Sequence, residues 1–304
     1  MKGTTRLRRL LKVDGVQRFS REHRVWFSFC RDSPEAIELS QQAAPFLPAE
    51  VAAHVPWQDG VPPCSDAAQA IGTDRLPILM YHRVAPTGSP ALRAYRVTPE
   101  AFEEQLRYLR ADGYSSIRLE DWQAAMATQK PLPGKTVIIT FDDGYRDFLT
   151  YAWPLLKRYG FSATVFLVVD EMGRSSHWDR FHGEETPLLG WREIWQLHSE
   201  GVEFGSHSAT HRPLTKLSVI EVVLEGARSR AILERELKVP IRAFAYPYGA
   251  VDQVVEHLIG ACGYVFGLSC QPRLSSFQDS LLMLPRIGVT GSDNLREFVM
   301  QLSR

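Results

Sequence analysis

The chain has 304 residues, of which 44% are hydrophobic and 23% charged, and this globular composition excludes a disordered, collagenous or disulfide-scaffold protein. Thirty-five Lys and Arg residues balance 35 Asp and Glu residues, so the whole chain has no net basic field to attract nucleic acid or an anionic membrane. The balance is uneven, because residues 1–31 carry nine basic and two acidic side chains. We therefore expect a partner other than nucleic acid.

The basic start of the chain does not predict a secretory signal, because the required apolar run of about seven to fifteen residues does not follow it. The longest apolar stretch, residues 163–169, is far shorter than the roughly 18 residues that a membrane helix needs. These observations favour a cytoplasmic protein without a membrane span. Cys30, Cys64, Cys262 and Cys270 form no CxxC pair, which predicts free thiols.

The chain divides into two parts of different pattern. Residues 1–75 lack sustained periodicity and contain loop-like runs of Pro and Gly, which predicts an irregular N-terminal extension. Over residues 76–304, short apolar runs alternate with helical segments, a pattern typical of βα units around a parallel sheet. The predicted strands cover residues 77–82, 136–141, 163–169, 202–206, 243–247, 264–269 and 285–289.

The segments between these runs show helical spacing. In the first one, Thr98 is the predicted cap, Pro99 opens the first turn and Gly113 ends the helix. The other predicted helices cover residues 120–127, 147–159, 191–199, 218–237, 252–261 and 294–302. Seven strands alternating with helices over about 230 residues predict an α/β fold, a distorted (β/α) barrel with about seven parallel strands. A doubly wound open sheet is the alternative.

Two adjacent carboxylates follow the second predicted strand. The strand over 136–141 runs into Asp142 and Asp143, and Gly144 then allows the backbone to turn. Two neighbouring acids are tolerated when one neutralises a metal ion while the other stays free as a base. A solvated loop with a helix cap is the alternative for this short motif.

Two histidines, His207 and His211, follow the fourth predicted strand and lie four residues apart. One helical turn would bring both imidazoles to the same face. With a single carboxylate they would make a three-ligand metal site that leaves positions open for water and substrate. Two exposed histidines on a turn are the alternative.

In this order the motifs resemble those of the polysaccharide deacetylases of carbohydrate esterase family 4, which share the NodB homology domain. The first family motif, T-F-D-D-G, is present at residues 140–144, and the second, H-S/T-x-x-H, at residues 207–211. The third, R-P-P-Y/F-G, is present in altered form at residues 244–249. The resemblance covers roughly residues 76–290.

The resemblance implies a divalent metal ion, with zinc as the expected identity, held by Asp143, His207 and His211. Asp142 would be the general base that takes a proton from the water attacking the acetamide carbonyl of an N-acetylated glycan. By the same resemblance, the backbone N–H of Tyr248 would help to hold the oxyanion. The products would be acetate and a free amine.

Three features depart from the family pattern. Ala245 stands where the third motif usually supplies an arginine that orients the base, and Arg242 lies an odd number of residues away, on the opposite face of a strand. The fourth motif, an Asp-Trp pair, has no clear counterpart after Tyr264. The fifth motif, L-x-H, reads L-P-R at residues 284–286, so the histidine expected to supply the general acid is missing.

Two residues at predicted strand ends would fill these gaps. His82 is the candidate proton donor, and Arg286 is the candidate for orienting Asp142. A buried histidine bonded to backbone and a structural salt bridge are the respective alternatives. Residues 77–84 also resemble the opening of the biofilm poly-N-acetylglucosamine deacetylases, a branch of the family in which the motifs are rearranged.

The connection over residues 171–189 is long for a βα loop, and long loops at the catalytic face of a barrel tend to be functional. Its aromatic residues include Trp178 and Phe181, which suit stacking on sugar rings, although an ordinary surface loop is the alternative. His177 and His182 in this loop are less rigidly placed than His82 as proton donors.

The sequence therefore predicts a metal-dependent hydrolase that removes N-acetyl groups from a polysaccharide or oligosaccharide and releases acetate. The altered third and fifth motifs leave a rival, a catalytically silent barrel that binds glycans. Asp142 argues against that rival, because a binding module needs no base beside the ligand set. A metal-dependent amidohydrolase acting on a non-sugar amide is the third hypothesis.

Overall fold

The structure is a computed structural model that describes residues 75–128, 132, 134–276 and 279–303. The predicted N-terminal extension lies outside these residues except for Arg75, and so do Cys30 and Cys64. Cys262 and Cys270 are free thiols, the first buried and the second exposed. No helix within the described ranges is long and apolar enough to cross a bilayer.

The strands lie in the predicted places but are shorter than predicted at most of their ends. They are β1 (Arg75–Leu76), β2 (Ile78–Tyr81), β3 (Arg83–Val84), β4 (Arg96–Val97), β5 (Tyr114–Ser116), β6 (Lys135–Phe141), β7 (Thr164–Leu167), β8 (Glu203–Ser206), β9 (Ala243–Ala245), β10 (Phe266–Leu268), β11 (Ser275–Ser276) and β12 (Ile287–Gly288). The sequence pattern does not predict β1, β3, β4, β5 and β11, because two- or three-residue strands carry too little periodicity to be recognised.

The helices begin at capping residues that the sequence shows. Thr98, Ser218, Asp252 and Asn294 each accept a hydrogen bond from a backbone N–H in the first turn of the helix that follows. The α-helices are α1 (Pro99–Ala111), α2 (Leu119–Thr128), α3 (Trp153–Tyr159), α4 (Trp191–Ser199), α5 (Val219–Leu237), α6 (Gln253–Ala261) and α7 (Leu295–Gln301).

The helix predicted over residues 147–159 differs from the expectation in its first half. A π-helical turn, Phe148–Ala152, precedes α3, so the segment is not α-helical throughout. Pro154 lies at the junction and has no N–H to donate to the preceding turn, which gives a physical reason for the wider turn before it.

Seven strands form one parallel sheet in the order β10-β9-β8-β7-β6-β2-β12, and β5 pairs with the first half of β6. From β2 to β10 the spatial order follows the chain order without a reversal. A doubly wound sheet requires such a reversal at its switch point. The alternative of an open doubly wound sheet is therefore wrong.

The last part of the chain joins the two edges of this sheet. Leu284 forms a parallel bridge with Leu268 of β10, and its N–H donates to the carbonyl of Gly267 at 2.7 Å. Three residues later, Ile287 of β12 pairs with Leu79 of β2. Because one short segment contacts both the first and the last strand, the sheet curls into the predicted distorted (β/α) barrel.

Alternation along the strands separates two apolar cores. Leu79, Ile139 and Val165 pack outward against the helices. Ile138 and Phe166 belong to a second cluster that fills the lumen. Because side chains alternate along a strand, the lumen face of β6 continues from Ile138 through position 140 to position 142. The alternation thus aims the first carboxylate of the Asp-Asp pair at the lumen.

Candidate active site

The carboxyl ends of the parallel strands bring the predicted residues to one end of the barrel. Asp142 and Asp143 directly follow β6, and His207 directly follows β8. Tyr248 lies in a short 3-10 turn, Pro247–Gly249, after β9. In barrels of this type, functional groups gather at this end because the strand-to-helix loops meet there.

Asp143, His207 and His211 form a compact buried cluster. The Oδ1 atom of Asp143 lies 3.2 Å from Nε2 of His207 and 3.0 Å from Nε2 of His211. Asp143 itself adopts a left-handed conformation with φ of 70°, and Gly144 follows with φ of 73°. This double left-handed turn directs the Asp143 carboxylate toward the two imidazoles.

The donor atoms of this cluster fit a divalent cation. Two ligands about 2.0 to 2.1 Å from a tetrahedral zinc ion are separated by about 3.3 Å, close to the observed spacings. The Oδ1 atom of Asp143 is buried and has no hydrogen-bond partner of acceptable geometry among the described residues. Three donor atoms that converge without hydrogen bonding to one another are the arrangement expected of metal ligands.

The two histidines are not presented by a helical turn, so that expectation is wrong. The segment after β8 consists of bends, and Ser208 and His211 have φ values of 69° and 60°, in the left-handed region. His207 donates a hydrogen bond from Nδ1 to the carbonyl of Ala245 at 2.8 Å. This bond fixes the tautomer whose Nε2 lone pair points to the cluster.

His211 is oriented differently from His207. Its ring lies between Trp178, at 4.1 Å between ring centroids, and Tyr248, at 4.7 Å. Its Nδ1 atom is buried and has no hydrogen-bond partner within the part of the chain that the structure describes. Aromatic packing and backbone conformation therefore orient this ring. The sequence predicted Trp178 only as a stacking surface, because nothing in the pattern places it beside a histidine 33 positions away.

Asp142 is held by Arg286, as the sequence predicts. The guanidinium donates from Nη1 to Oδ1 and from Nη2 to Oδ2, both at 2.7 Å, and both side chains are almost fully buried. Arg286 also donates from Nε to the carbonyl of Ser269 at 3.0 Å and from Nη1 to the hydroxyl of Thr140 at 3.2 Å. This bidentate hydrogen bonding favours the ionised carboxylate and fixes its plane.

Burial and neighbouring charges shift the pKa values of Asp142, Asp143 and His211. Burial raises the pKa of Asp142, but Arg286 and His207 outweigh it and hold that pKa below its ordinary value. Burial also raises the pKa of Asp143, yet His211 and His207 hold it well below the usual range. Burial lowers the pKa of His211, which favours the neutral imidazole that can bind a metal. Both carboxylates are therefore ionised near neutral pH.

His82 directly follows β2 at the same end of the barrel and is half-buried. Its ring makes an edge contact with Tyr95 at 5.0 Å between centroids. Its charge is one of the influences that lower the pKa of Asp142, so it lies within electrostatic range of that carboxylate. His82 thus lies at the same end of the barrel as Asp142, whereas Arg242 is exposed and directly precedes β9, at the opposite, amino end of that strand.

The long connection after β7 forms part of the wall of the site. Tyr145 anchors it, because the tyrosine hydroxyl donates to Oδ2 of Asp179 at 2.6 Å and its backbone bridges Leu188. His177 lies between two carboxylates, Glu171 at 3.4 Å and Glu185 at 3.2 Å. These contacts tie His177 to the loop itself.

The remaining aromatic residues of this region are exposed. Phe181 is 87% exposed and His182 is also exposed, so neither is held against the cluster. Tyr248 is 60% exposed and has a φ of 58°, a conformation that non-glycine residues rarely adopt. Backbone strain of this kind clusters at functional sites.

The fold and the side-chain cluster can be compared with those of known proteins. A parallel distorted barrel with an Asp-Asp pair and two histidines at its carboxyl end agrees with what the motif resemblance implies. Residues 129–267 match the family model described as polysaccharide deacetylase. The part of the chain that contains Asp142, Asp143, His207 and His211 is therefore similar to the polysaccharide deacetylase family.

Individual relatives support this assignment. The chain is 27% identical over 216 residues to "Putative polysaccharide deacetylase YxkH" of Bacillus subtilis (strain 168), covering 71% of this chain and 72% of the relative. It is 24% identical over 231 residues to the poly-beta-1,6-N-acetyl-D-glucosamine N-deacetylase of Staphylococcus aureus (strain MSSA476), covering 69% and 77%.

Two solved structures show the same fold. The Streptococcus pyogenes deacetylase PplD, in complex with acetate, superposes with a TM-score of 0.66 at 24% identity, covering 75% of this chain and 98% of that chain. IcaB from Ammonifex degensii superposes with a TM-score of 0.65 at 24% identity, covering 76% and 98%. The distorted barrel is therefore shared with these proteins.

Proposed function

We propose that this protein is a metal-dependent N-deacetylase that hydrolyses the acetamide group of an N-acetylated glycan and releases acetate. The observation that carries the proposal is the buried pair of Asp142 and Arg286 beside the cluster of Asp143, His207 and His211. A module that only binds glycan gains nothing from a second buried carboxylate, whose desolvation is costly. A base beside a metal-ligand set is what acetamide hydrolysis requires.

Asp143, His207 and His211 would hold the divalent cation, and zinc suits a set of two imidazoles and one carboxylate. When bound, the cation supplies Lewis-acid chemistry that activates water and polarises the acetyl carbonyl. The protein's contribution is to keep three buried donor atoms within 4.8 Å of one another.

Asp142 would accept the proton of the attacking water. Arg286 keeps this carboxylate ionised and fixes its plane, so that it needs no reorganisation before it accepts the proton. The backbone N–H of Tyr248 would donate to the oxyanion, as the family resemblance implies, and the Tyr248 ring lies 4.7 Å from that of His211.

His82 would protonate the leaving amine. Amide hydrolysis needs a proton donor, and Arg286 retains its protons near neutral pH. Among the histidines of this rim, His177 is tied to Glu171 and Glu185, and His182 is exposed. His82 is half-buried and packed against Tyr95, so it has the most defined position of the three.

The substrate proposed for first assay is a β-1,6-linked N-acetylglucosamine oligomer. The Staphylococcus aureus relative is named for that polymer. Tyr95 and Tyr248 expose more than half of their surfaces at the rim, and Phe181 exposes still more. Exposed aromatic faces of this kind suit stacking on sugar rings.

The test compares three acetylated substrates with the same protein. β-1,6-linked N-acetylglucosamine oligomers, an O-acetylated polysaccharide and a small non-sugar acetamide are each incubated with the zinc-loaded protein, and acetate and amine are measured. We expect both products from the N-acetylated oligomers only, no turnover after chelation, and recovery on adding Zn²⁺. Acetate from the O-acetylated substrate alone would replace this proposal with an O-deacetylase, and glycan binding without acetate release would support a silent barrel.

A further inference from the structure

The segment that joins the two histidines has an unfavourable backbone conformation. Ser208 and His211 both lie in the left-handed region, with φ of 69° and 60°, although neither is a glycine. Residues with a Cβ atom adopt this region at an energetic cost, so it persists only where the surroundings impose it. The contacts that hold this segment therefore bear on the relative placement of His207 and His211.

One carboxylate from a neighbouring helix holds the middle of the segment. The Oε2 atom of Glu225, in α5, accepts hydrogen bonds from the backbone N–H groups of Ala209 and Thr210, both at 2.8 Å. Its Oε1 atom accepts the hydroxyl hydrogen bond of Thr210 at 2.5 Å. The backbone N–H of His211 donates to the hydroxyl of Ser208 at 2.9 Å and completes the turn.

Glu225 is buried, with 4% of its surface exposed. A buried carboxylate is costly unless hydrogen bonds or an opposite charge satisfy it. The cationic group placed against it, Arg212, is half-exposed, with its Nε atom 3.6 Å from Oε1. The hydrogen bonds from Ala209 and Thr210 are therefore the principal compensation for burying this charge.

The two histidines depend on this contact unequally. His207 is fixed independently, because its Nδ1 donates to the carbonyl of Ala245. The Nδ1 atom of His211 has no hydrogen-bond partner among the described residues, so its ring follows its own backbone and the rings that flank it. The backbone directly before His211 is what Glu225 holds.

We infer that Glu225 is a positioning residue that sets the placement of His211 relative to His207 and Asp143, and thereby sets the metal affinity of the site. The inference rests on the metal site of the proposed function. The effect comes from the hydrogen bonds that Glu225 accepts from the backbone N–H groups of Ala209 and Thr210, and not from its negative charge. Contacts that orient metal ligands typically change affinity by about 10-fold to 100-fold when they are removed.

A matched control lies at the start of β8, the strand that ends just before the histidine segment. Glu203, at the start of β8, accepts backbone N–H hydrogen bonds from Leu119 at 3.0 Å and Glu120 at 2.9 Å. It also accepts the hydroxyl hydrogen bond of Thr164. Glu203 thus accepts the same kinds of hydrogen bond as Glu225, two from backbone N–H groups and one from a threonine hydroxyl, but it holds the start of α2 and not the histidine segment.

The experiment measures Zn²⁺ affinity by competition with a chromophoric chelator, for the wild type and four variants. Glu225→Asp keeps the charge but withdraws the carboxylate by one methylene, whereas Glu225→Gln keeps the reach and an acceptor oxygen but removes the charge. Glu225→Ala removes both, and Glu203→Ala is the control. Thermal unfolding and the optical spectrum of bound Co²⁺ are recorded for each, and affinities are compared at a temperature where all are folded.

We expect Glu225→Asp and Glu225→Ala to weaken Zn²⁺ binding by about 10-fold or more and to alter the Co²⁺ spectrum. Glu225→Gln should stay within about 3-fold of the wild type, and Glu203→Ala should lose thermal stability without losing affinity. If Glu225→Asp binds as tightly as the wild type, or Glu225→Gln is as weak as Glu225→Ala, the inference is wrong. A wild type that binds no Zn²⁺ would instead remove the proposed metal site itself.

Discussion

At the scale of single residues, the adjacent acids Asp142 and Asp143 make different contacts, so we predict different phenotypes. Asp143→Asn should lose the metal, because its Oδ1 is the atom that both imidazoles approach. Asp142→Asn should retain the metal but lose turnover by a factor of about 10² to 10⁴, the usual range for a general base. Metal content by elemental analysis and kcat on N-acetylglucosamine oligomers measure the two effects separately. Near-normal kcat in Asp142→Asn would rule out its role as base.

The second prediction is that the effect of replacing His82 depends on the leaving group of the substrate. His82→Ala should keep the fold and the metal but lose amide hydrolysis, because the departing amine needs a proton. An activated acetate ester, whose leaving group needs less protonation, should be hydrolysed at a rate closer to that of the wild type.

Arg286→Ala is the contrasting variant, since its guanidinium holds Asp142, the base proposed for both reactions. It should slow amide and ester hydrolysis alike, and it should also destabilise the protein by about 3 to 5 kcal/mol, because it leaves a buried carboxylate unpaired. Equal losses of amide and ester turnover in His82→Ala would contradict its role as the acid.

The residues that the sequence predicts best are those with a recognisable local pattern. Asp142, Asp143, His207 and His211 stand in short motifs directly after apolar runs, so their convergence follows from the rule for parallel strands. Glu225 shows no such signal, because a glutamate within an amphipathic helix is usually solvated. Its role depends on a fold that places α5 beside the histidine segment, and a one-dimensional pattern does not contain that information.

At the scale of the elements, side chains alternate along β8, so Gly205 lies on the same face of the strand as His207, toward the lumen. Gly205 in this strand faces the ring of Phe166, and a Cβ atom there would lie 2.4 Å from Cε1 and 3.0 Å from the carbonyl oxygen of Ala243. We predict that Gly205→Ala lowers the free energy of unfolding by about 1 to 3 kcal/mol, the usual cost of overpacking. Denaturant titration measures this change.

Gly288 provides the matched control for this prediction, because it is also a strand glycine without a left-handed φ. A Cβ atom at Gly288 would meet the flexible end of Met80 at 3.2 Å, so Gly288→Ala should cost less than Gly205→Ala. Equal losses for the two variants would mean that the lumen around Phe166 relaxes more readily than its packing indicates.

Most elements were predictable because the lumen and the outer core each need an apolar face. Strands buried on both sides read as continuous apolar runs, and the helices between them begin at capping residues. The histidine segment was predicted wrongly because the spacing of four residues fits a helical turn as well as a bend. The left-handed residues Ser208 and His211 give no sequence signal, since neither is a glycine.

At the scale of the whole molecule, the alternation of strands and helices predicted the barrel, but its closure was not readable from the sequence. The closing segment contains only a two-residue strand, β12, and its contact with β10 is a single bridge at Leu284. Closure also carries Arg286 into the lumen beneath Asp142. The same segment therefore completes the sheet and supplies the partner of Asp142, the proposed base.

Metal binding should stabilise the whole domain, because a site assembled from two separate strand ends exists only in the folded state. Zn²⁺ at about 100 times its dissociation constant contributes about 2.7 kcal/mol. For a domain of this size, that corresponds to a rise in Tm of roughly 5 to 10 °C. Calorimetry or thermal unfolding followed by circular dichroism, with and without Zn²⁺, measures the shift.

The pH dependence and the ligand variants test where this stabilisation originates. Protons compete with the metal for the imidazoles of His207 and His211, so the Zn²⁺-dependent rise in Tm should shrink as pH falls below neutrality. His207→Ala removes one ligand of the cluster and should abolish most of the shift, whereas Glu203→Ala should lower Tm but keep the shift. A shift of unchanged size in His207→Ala would place the stabilising ion elsewhere, because a site between β6 and β8 cannot retain its affinity after losing one of three ligands.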